Sequence, residues 1–372
     1  MTKSFTSLCL LGAALLGANA RASFDLGNDV TLFPTATAGL QYNDNIFLSN
    51  KNAKSDSILD LAPGILLQFG AGAANKGQLS YSEDFQFYSS QSGLNTGLAK
   101  VDFLSRFDDG ASKINVDAWF HQANQATRDV RSNGFLVRRD LIHGALVGEN
   151  SISAKTSASL GIIYDDTDYK RTGYTDWQWF EVPFKYYYKI EPKLDLSGGF
   201  TYRDNQLGKG GIDSTEYFYN VGARGEIAPK LTGEVSIGLN QRKLKVGGTQ
   251  NSLGIDSNFT YAATQKTSVS FGASNDFGYG ATGTAYKNFG LNGGVTSDVS
   301  SDFKVGAQVS YSRYAYTGTQ RDDFYTGQLS GTYLVNAYVT LTGTYAYAKD
   351  SSNLAGTSFT NNIFSISAAF RY

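Results

Sequence analysis

An all-β fold is predicted, one large antiparallel up-and-down β-barrel of about 18 strands with 16 as the fallback, from three observations. These are strict alternation of apolar and polar residues, a hairpin-sized spacing of turns, and a composition suited to strands and tight turns. The alternation is plain where Leu194, Leu196, Gly198, Phe200 and Tyr202 interleave with Asp195, Ser197, Gly199, Thr201 and Arg203. It returns from Leu231 to Asn240, from Phe303 to Tyr311 and from Val339 to Tyr347. Each such segment is a strand with one apolar and one polar face.

The turns before these segments, at Pro192-Lys193, Pro229-Lys230, Gln265-Lys266 and Asp302-Phe303-Lys304, recur about every 36 to 38 positions. That interval holds two strands, one short turn and one longer loop, which is a hairpin repeat. A propeller blade needs four strands in little more space, and β-helix repeats are shorter. Composition agrees: Gly occurs 41 times in 372 residues, Tyr and Phe 24 times each, and Pro only 5 times. Strands are expected near 33–42, 57–69, 78–88, 97–107, 112–123, 137–149, 155–168, 177–190, 193–205, 214–227, 231–243, 252–263, 267–278, 285–297, 303–316, 323–335, 338–349 and 360–372. Short connections such as Glu191-Pro192 and Asn336-Ala337 alternate with longer ones at 43–56, 124–136 and 350–359.

Residues 1–22 read as a secretory signal peptide, with Lys3, an apolar run from Leu8 to Gly17, and cleavage after Ala20 or Ala22. The run is too short to span a bilayer as a helix, which takes about 20 residues, and no later stretch of 18 apolar residues follows. Residues 23–372 then form the barrel, without cysteine, because Cys9 belongs to the leader. Disulfides and thiolate chemistry are excluded from that part.

The strands are therefore expected to be transmembrane. Lipid cannot hydrogen-bond backbone amides, so a spanning sheet must close on itself, with apolar residues outward and polar residues toward the lumen. This explains a mean hydropathy of only −0.27. Short turns belong on the periplasmic side and long loops outside. The final strand, with Phe364, Ile366, Ala368, Phe370 and Tyr372 on one face, resembles the C-terminal signal read by the outer-membrane barrel assembly machinery. That machinery, outer-membrane lipid and lipopolysaccharide are the expected partners. A net charge of −1 and a pI near 6.2 give no attraction for nucleic acid.

Few residues suggest chemistry. The chain has two histidines. His121 falls on the face of Asn115, Asp117 and Trp119, toward the lumen, while the face of His143 is ambiguous. Asp117 and His121, four apart on one strand, make a poor catalytic dyad, and no cofactor or metal set is evident. The carboxylate pairs Asp108-Asp109, Asp165-Asp166 and Asp322-Asp323 are expected as solvated turn residues. No enzyme is expected.

One basic group stands out: Arg128, Arg131, Arg138 and Arg139, in or beside the 124–136 loop. Folded inward, the loop sets positive charges in the pathway; folded outward, it presents them to solvent or lipopolysaccharide. Lumen charges at Glu181, Lys185, Lys189, Asp195 and Arg203 are mixed in sign. Tyr188, Tyr202, Tyr311, Tyr333, Tyr338 and Tyr347 suit interfacial girdles, whereas inward Trp119, Trp179 and Tyr187 are either anchors or stacking faces for sugar rings.

The run Phe33-Pro34-Thr35-Ala36-Thr37-Ala38-Gly39-Leu40-Gln41-Tyr42-Asn43-Asp44-Asn45-Ile46-Phe47, followed by Ser55-Asp56-Ser57 and Leu61-Ala62-Pro63-Gly64, resembles the opening of an outer-membrane β-barrel porin family. That family is associated with exopolysaccharide biosynthesis and includes the EpsL-like proteins. The resemblance implies a barrel in the cell outer membrane that serves as exit for an exopolysaccharide or capsular polysaccharide, with periplasmic export proteins bridging to it. It carries over no binding residues. A general or sugar-selective solute porin is the nearest alternative, and a structural or adhesive surface barrel the alternative of another class. A TonB-dependent receptor is disfavoured, because about 350 residues do not supply a barrel of 22 strands.

Overall fold

The computed structural model describes residues 23–130 and 134–372. The expected signal peptide and Arg131 lie outside them. A short strand β1 (Phe24–Gly27) precedes eighteen long ones. These are β2 (Val30–Asn43), β3 (Asp56–Phe69), β4 (Asn75–Tyr88), β5 (Thr96–Asp108), β6 (Ser112–Asn124), β7 (Arg138–Ser153), β8 (Thr156–Tyr169), β9 (Trp177–Glu191), β10 (Leu194–Leu207), β11 (Ser214–Ala228), β12 (Leu231–Leu244), β13 (Gly248–Ala262), β14 (Thr267–Tyr279), β15 (Ala285–Asp298), β16 (Phe303–Tyr316), β17 (Arg321–Leu334), β18 (Val339–Ser352) and β19 (Phe359–Arg371).

Each long strand pairs antiparallel with its sequence neighbours, and β19 pairs with β2 from Ile363↔Asn43 to Arg371↔Thr35. The sheet thus closes as an 18-stranded antiparallel barrel, the expected count. Closure leaves no long edge with unpaired amides. The strand β1, which the alternation did not suggest, forms a hairpin with β2 through Asn28 and Asp29, both at positive φ (52° and 59°). Such a pair matches the right-handed twist of a two-residue hairpin turn.

Facing follows from the two-residue period. Leu40, Val221, Leu253, Val309, Leu329 and Ile366 are more than half exposed, and residues directly across each ladder share their face. An apolar exposed surface of this extent belongs against hydrocarbon. Tyr188, Tyr333 and Tyr338 are exposed near strand ends, and Tyr338 stacks on the terminal Tyr372 at 5.7 Å. Prolines within strands are accommodated by gaps in one ladder. The β3–β4 pairing skips Ala62 and Pro63, and the β8–β9 pairing skips Val182 and Pro183, because proline has no N–H to donate.

Apart from Tyr187 on the wall, the buried apolar residues gather at the long-loop end, as a barrel wall has no interior of its own. Ile46, Phe47, Ile58 and Tyr88 form one cluster with Leu94 and Leu136; Val130, Val137 and Ala281 form another with Phe135, Tyr169 and Tyr174. Both gather at the long-loop end and bring the connections after β2, β4, β6, β8 and β14 together over the lumen mouth.

Candidate functional site: the lumen and its loop constriction

Two segments close over the lumen. The first is the loop after β6, described at residues 125–130 and 134–137, whose Arg128 segment folds inward, one of the two arrangements expected for the loop. Arg128 reaches the far wall, where Nη1 donates to Tyr316 Oη (2.6 Å) and to Asp322 Oδ2 (3.2 Å) on β16 and β17. Its guanidinium lies 3.5 Å from the centre of the Tyr314 ring, and Nη2 pairs with Asp129 at 2.5 Å. Arg128 is therefore no free positive charge in the pathway. Two carboxylates and an aromatic face hold it, with side-chain exposures of 7% for Arg128 and 0% for Asp322. Breaking one partner of such a buried pair costs about 3–5 kcal/mol, because the other is left charged and dry.

The second segment is the tip of the β14–β15 hairpin. Pairing of β13 with β14 ends at Ile255↔Asn275, although β14 continues with β15 to Tyr279↔Ala285. Freed from β13, the tip leans over the inner face of β11 and β12. Phe277 and Tyr279 cover Arg242 at 4.6 and 4.5 Å, and Arg242 Nη1 donates to the Gly278 carbonyl at 3.3 Å. Tyr279 Oη and Ser214 Oγ share a hydrogen bond (2.7 Å), and Thr175 N donates to the Ala281 carbonyl (2.8 Å). Gly283, at φ +75°, sits against Thr175 and Gly211, a close approach that a side chain there would obstruct.

Below the loops the lumen wall has two kinds of surface. From β4 to β12 it carries ion-pair clusters. Arg203 on β10 contacts Glu181 (2.7 Å), Glu216 (3.0 Å) and Asp276 (3.1 Å), and Arg242 contacts Glu216 at 2.6 Å. Arg224 contacts Glu149 (2.6 Å) and Asp195 (3.1 Å) and lies 3.4 Å from the centre of the Tyr187 ring. Lys185 donates to Glu234 (2.6 Å) and Ser236 (3.1 Å). From β15 through β19 the inward residues are mainly hydroxyls and amides, among them Gln308, Ser310, Thr326, Gln328, Ser330, Thr344 and Ser365. Ser310 and Thr326 bond each other across their ladder at 2.6 Å.

The two histidines share one arrangement. Trp119 stacks on His121 at 4.5 Å and on His143 at 5.3 Å, so one indole lies between both imidazoles. His121 Nε2 bonds Asp102 (2.8 Å) and His143 Nδ1 bonds Asp165 (2.9 Å). His143 therefore faces the lumen, and the partner of His121 is Asp102 rather than Asp117. Among the described residues no group of three or more His, Cys, Asp or Glu is placed to hold a metal ion.

Other expected residues fall into place differently. Arg138 is exposed on the outward face at the rim, where it donates to Gln122 (2.6 Å), and so does not line the lumen. Arg139, the next residue, shares the ladder position of Tyr169 and points inward. Of the inward rings, Trp179 carries the Arg203 guanidinium at 5.0 Å and the buried Tyr187 carries that of Arg224 at 3.4 Å, so one face of each is already occupied. The carboxylate pairs also need correction. Only Asp108-Asp109 is a turn, with Asp109 accepting from Ala111 and Ser112. Asp165 and Asp166 split across the wall, as do Asp322 and Asp323, since consecutive strand residues face opposite sides. Asp322 is held by Arg128 inside, while Asp323 accepts from Tyr311 (2.6 Å) and Arg313 (2.8 Å) outside.

A closed antiparallel barrel with an apolar exterior, a polar lumen and inward-folded loops defines an outer-membrane β-barrel of the porin type. The chain belongs to the family described as Putative beta-barrel porin 2, whose model matches residues 27–372. Among solved structures it is similar to Pseudomonas aeruginosa OpdK with vanillate, at 11% identity and a TM-score of 0.50, over 92% of this chain and 99% of that one. The outer membrane protein OpdK from the same organism matches at 12% identity, again with a TM-score of 0.50 over 92% and 99%. P. aeruginosa OpdL follows at 10% identity and 0.48, over 92% and 99%. At these identities the likeness is one of fold. No curated protein matches the chain.

Proposed function

We propose that this barrel is a passive, cation-preferring channel for small polar solutes, with no catalytic role, whose bore is set by the loop after β6. The observation carrying this reading is the charge balance of the lumen. Each arginine cluster holds one carboxylate more than its bases: Arg203 and Arg242 face Glu181, Glu216 and Asp276; Arg224 faces Glu149 and Asp195; Arg128 faces Asp129 and Asp322. Asp60 and Asp256 add inward carboxylates without a contacting base among the described residues. Fixed negative charge in a water-filled, low-dielectric bore concentrates cations and repels anions. Of the basic group invoked for acidic solutes, Arg128 is neutralised where it lies and Arg138 faces outward, so among the described residues Arg139 alone adds an inward positive charge against these carboxylates.

Export of a polysaccharide, the finer expectation from the family resemblance, requires the Arg128 segment of the loop after β6 to leave the lumen. Its anchor at Asp322 speaks for small-solute passage in the closed arrangement. The test is the reversal potential of the refolded protein in a planar bilayer across a KCl gradient. A potential of the sign of K⁺ selectivity, diminished in Glu181→Gln/Asp276→Asn, is expected. Anion selectivity would overturn the reading, and conductance opened only by partner export proteins would favour the polymer conduit.

A further inference from the structure

Under the inward loop lies a cavity of about 510 Å³, bounded by the first strands on one side and β15 to β19 on the other. Its volume falls within the range of small-molecule sites, about 300–1,000 Å³. Two residues of its lining carry buried acceptors with no hydrogen-bond partner among the described residues: Asp60 Oδ1 on β3 and Asn361 Oδ1 on β19. Asn361 is only 6% exposed. A buried acceptor left without a donor costs about 1–3 kcal/mol, more for a charged group, so both favour an occupant that brings N–H or O–H. The rings of Tyr88, Tyr286 and Tyr314 supply the apolar and π surface of the same cavity.

The charge of that occupant follows from its surroundings. Arg128 also lines the cavity, but its guanidinium is spent on Asp322, Tyr316 and the Tyr314 face. Among the described residues Asp60 forms no ion pair, Lys100 being paired with Asp84, so an arriving cation gains a carboxylate without displacing one. An anion would face the carboxylates of Asp60 and Asp129 there. A primary ammonium donates three N–H groups and is attracted to both a carboxylate and aromatic faces.

We propose that this cavity is a binding site for a small organic primary ammonium, with Asp60 and Asn361 receiving the ammonium protons and the tyrosines packing its organic body. This deepens the reading of the barrel as a cation-preferring channel by naming a solute class, and rests on it for the route of entry.

The test is isothermal titration of the full barrel, folded in detergent and verified by heat-modifiable migration, with 2-phenylethylamine at pH 8. Its neutral analogue 2-phenylethanol and its trimethylated analogue, which keeps the charge but loses the donors, serve as comparisons. Saturable binding of the amine, weakened about tenfold or more in Asp60→Asn and measurably in Asn361→Ala, with both analogues weaker, is expected. Equal binding of the trimethylated compound would overturn the role of the acceptors. Equal binding of the alcohol would overturn the role of charge, and no saturation in a verified barrel would overturn the site. Reversal potentials on the same preparation keep the two readings apart: cation selectivity without amine binding removes only this proposal.

Discussion

Arg128 and Asp322 stand 194 residues apart in sequence and 3.2 Å apart in space, joining the loop after β6 to the far wall of the barrel. The bond makes the start of that loop, residues 125–130, a strap across the lumen. Asp322→Asn removes the charge that holds it, and Arg128→Ala removes the strap's anchor and its ring contacts. Both variants are expected to raise the fraction of time spent in large-conductance states several-fold, with the barrel still folded, because no strand ladder depends on the pair. Single-channel recordings check this, and unchanged traces would refute the strap.

The β14–β15 tip is the second closing element. Thr175 and Ala281 share a backbone hydrogen bond between loop and tip. Thr175→Cys/Ala281→Cys, in a barrel whose described residues hold no cysteine, is expected to form a disulfide under oxidation and to suppress openings until reductant is added. Gel migration with and without reductant reports the bond, and conductance its effect.

Asp213 fixes the connection against which this tip rests. It accepts from the Leu207 amide at 2.8 Å and pairs with Lys245 at 2.7 Å, while Tyr279 Oη donates to the neighbouring Ile212 carbonyl. The Leu207 amide first, and Lys245 second, hold its carboxyl below the usual range. A lowered folded-state pKa contributes stability that is present above the unfolded value and lost as pH falls through the folded one. Openings are therefore expected to become more frequent as pH drops below the ordinary carboxylate range. Asp213→Asn should show the same frequency at neutral pH and little further dependence on acid.

Facing can be tested on adjacent residues of one strand. Val309 on β16 is 65% exposed on the outer face, and its neighbour Gln308 points inward. Val309→Arg is expected to destabilise the folded barrel by about 2–4 kcal/mol if it lies near the bilayer midplane, whereas Gln308→Arg leaves stability nearly unchanged and lowers cation selectivity. Urea unfolding in liposomes measures the first, and reversal potential the second. Equal stability of the two variants would contradict the assignment of faces.

Much of this was legible in the sequence for one physical reason. Closure forces every strand to show one face to lipid and one to water, so period-two alternation survives at Leu194–Tyr202 and again at Phe364–Tyr372. The same period already separates Asp165 from Asp166 and Asp322 from Asp323, although two adjacent carboxylates read more readily as a turn. What stays hidden is contact across the bore. No local pattern ties Arg128 to Asp322, brings Arg224 onto Tyr187, or sets Trp119 between His121 and His143, because the curvature of the closed wall decides which inward side chains meet. The sequence signal for the Arg128 site is modest: Tyr286, Tyr314 and Tyr316 occupy the lumen parity of strands whose other inward residues are mainly small and polar.

The most direct test of the account is single-channel conductance of the intact barrel beside one in which residues 126–136 are replaced by a short glycine-serine turn. Small, cation-selective events in the intact protein and a several-fold larger, still cation-selective conductance in the shortened one are expected. Identical conductance in the two proteins, or none in either when both are folded, would contradict a channel whose bore is set by this loop.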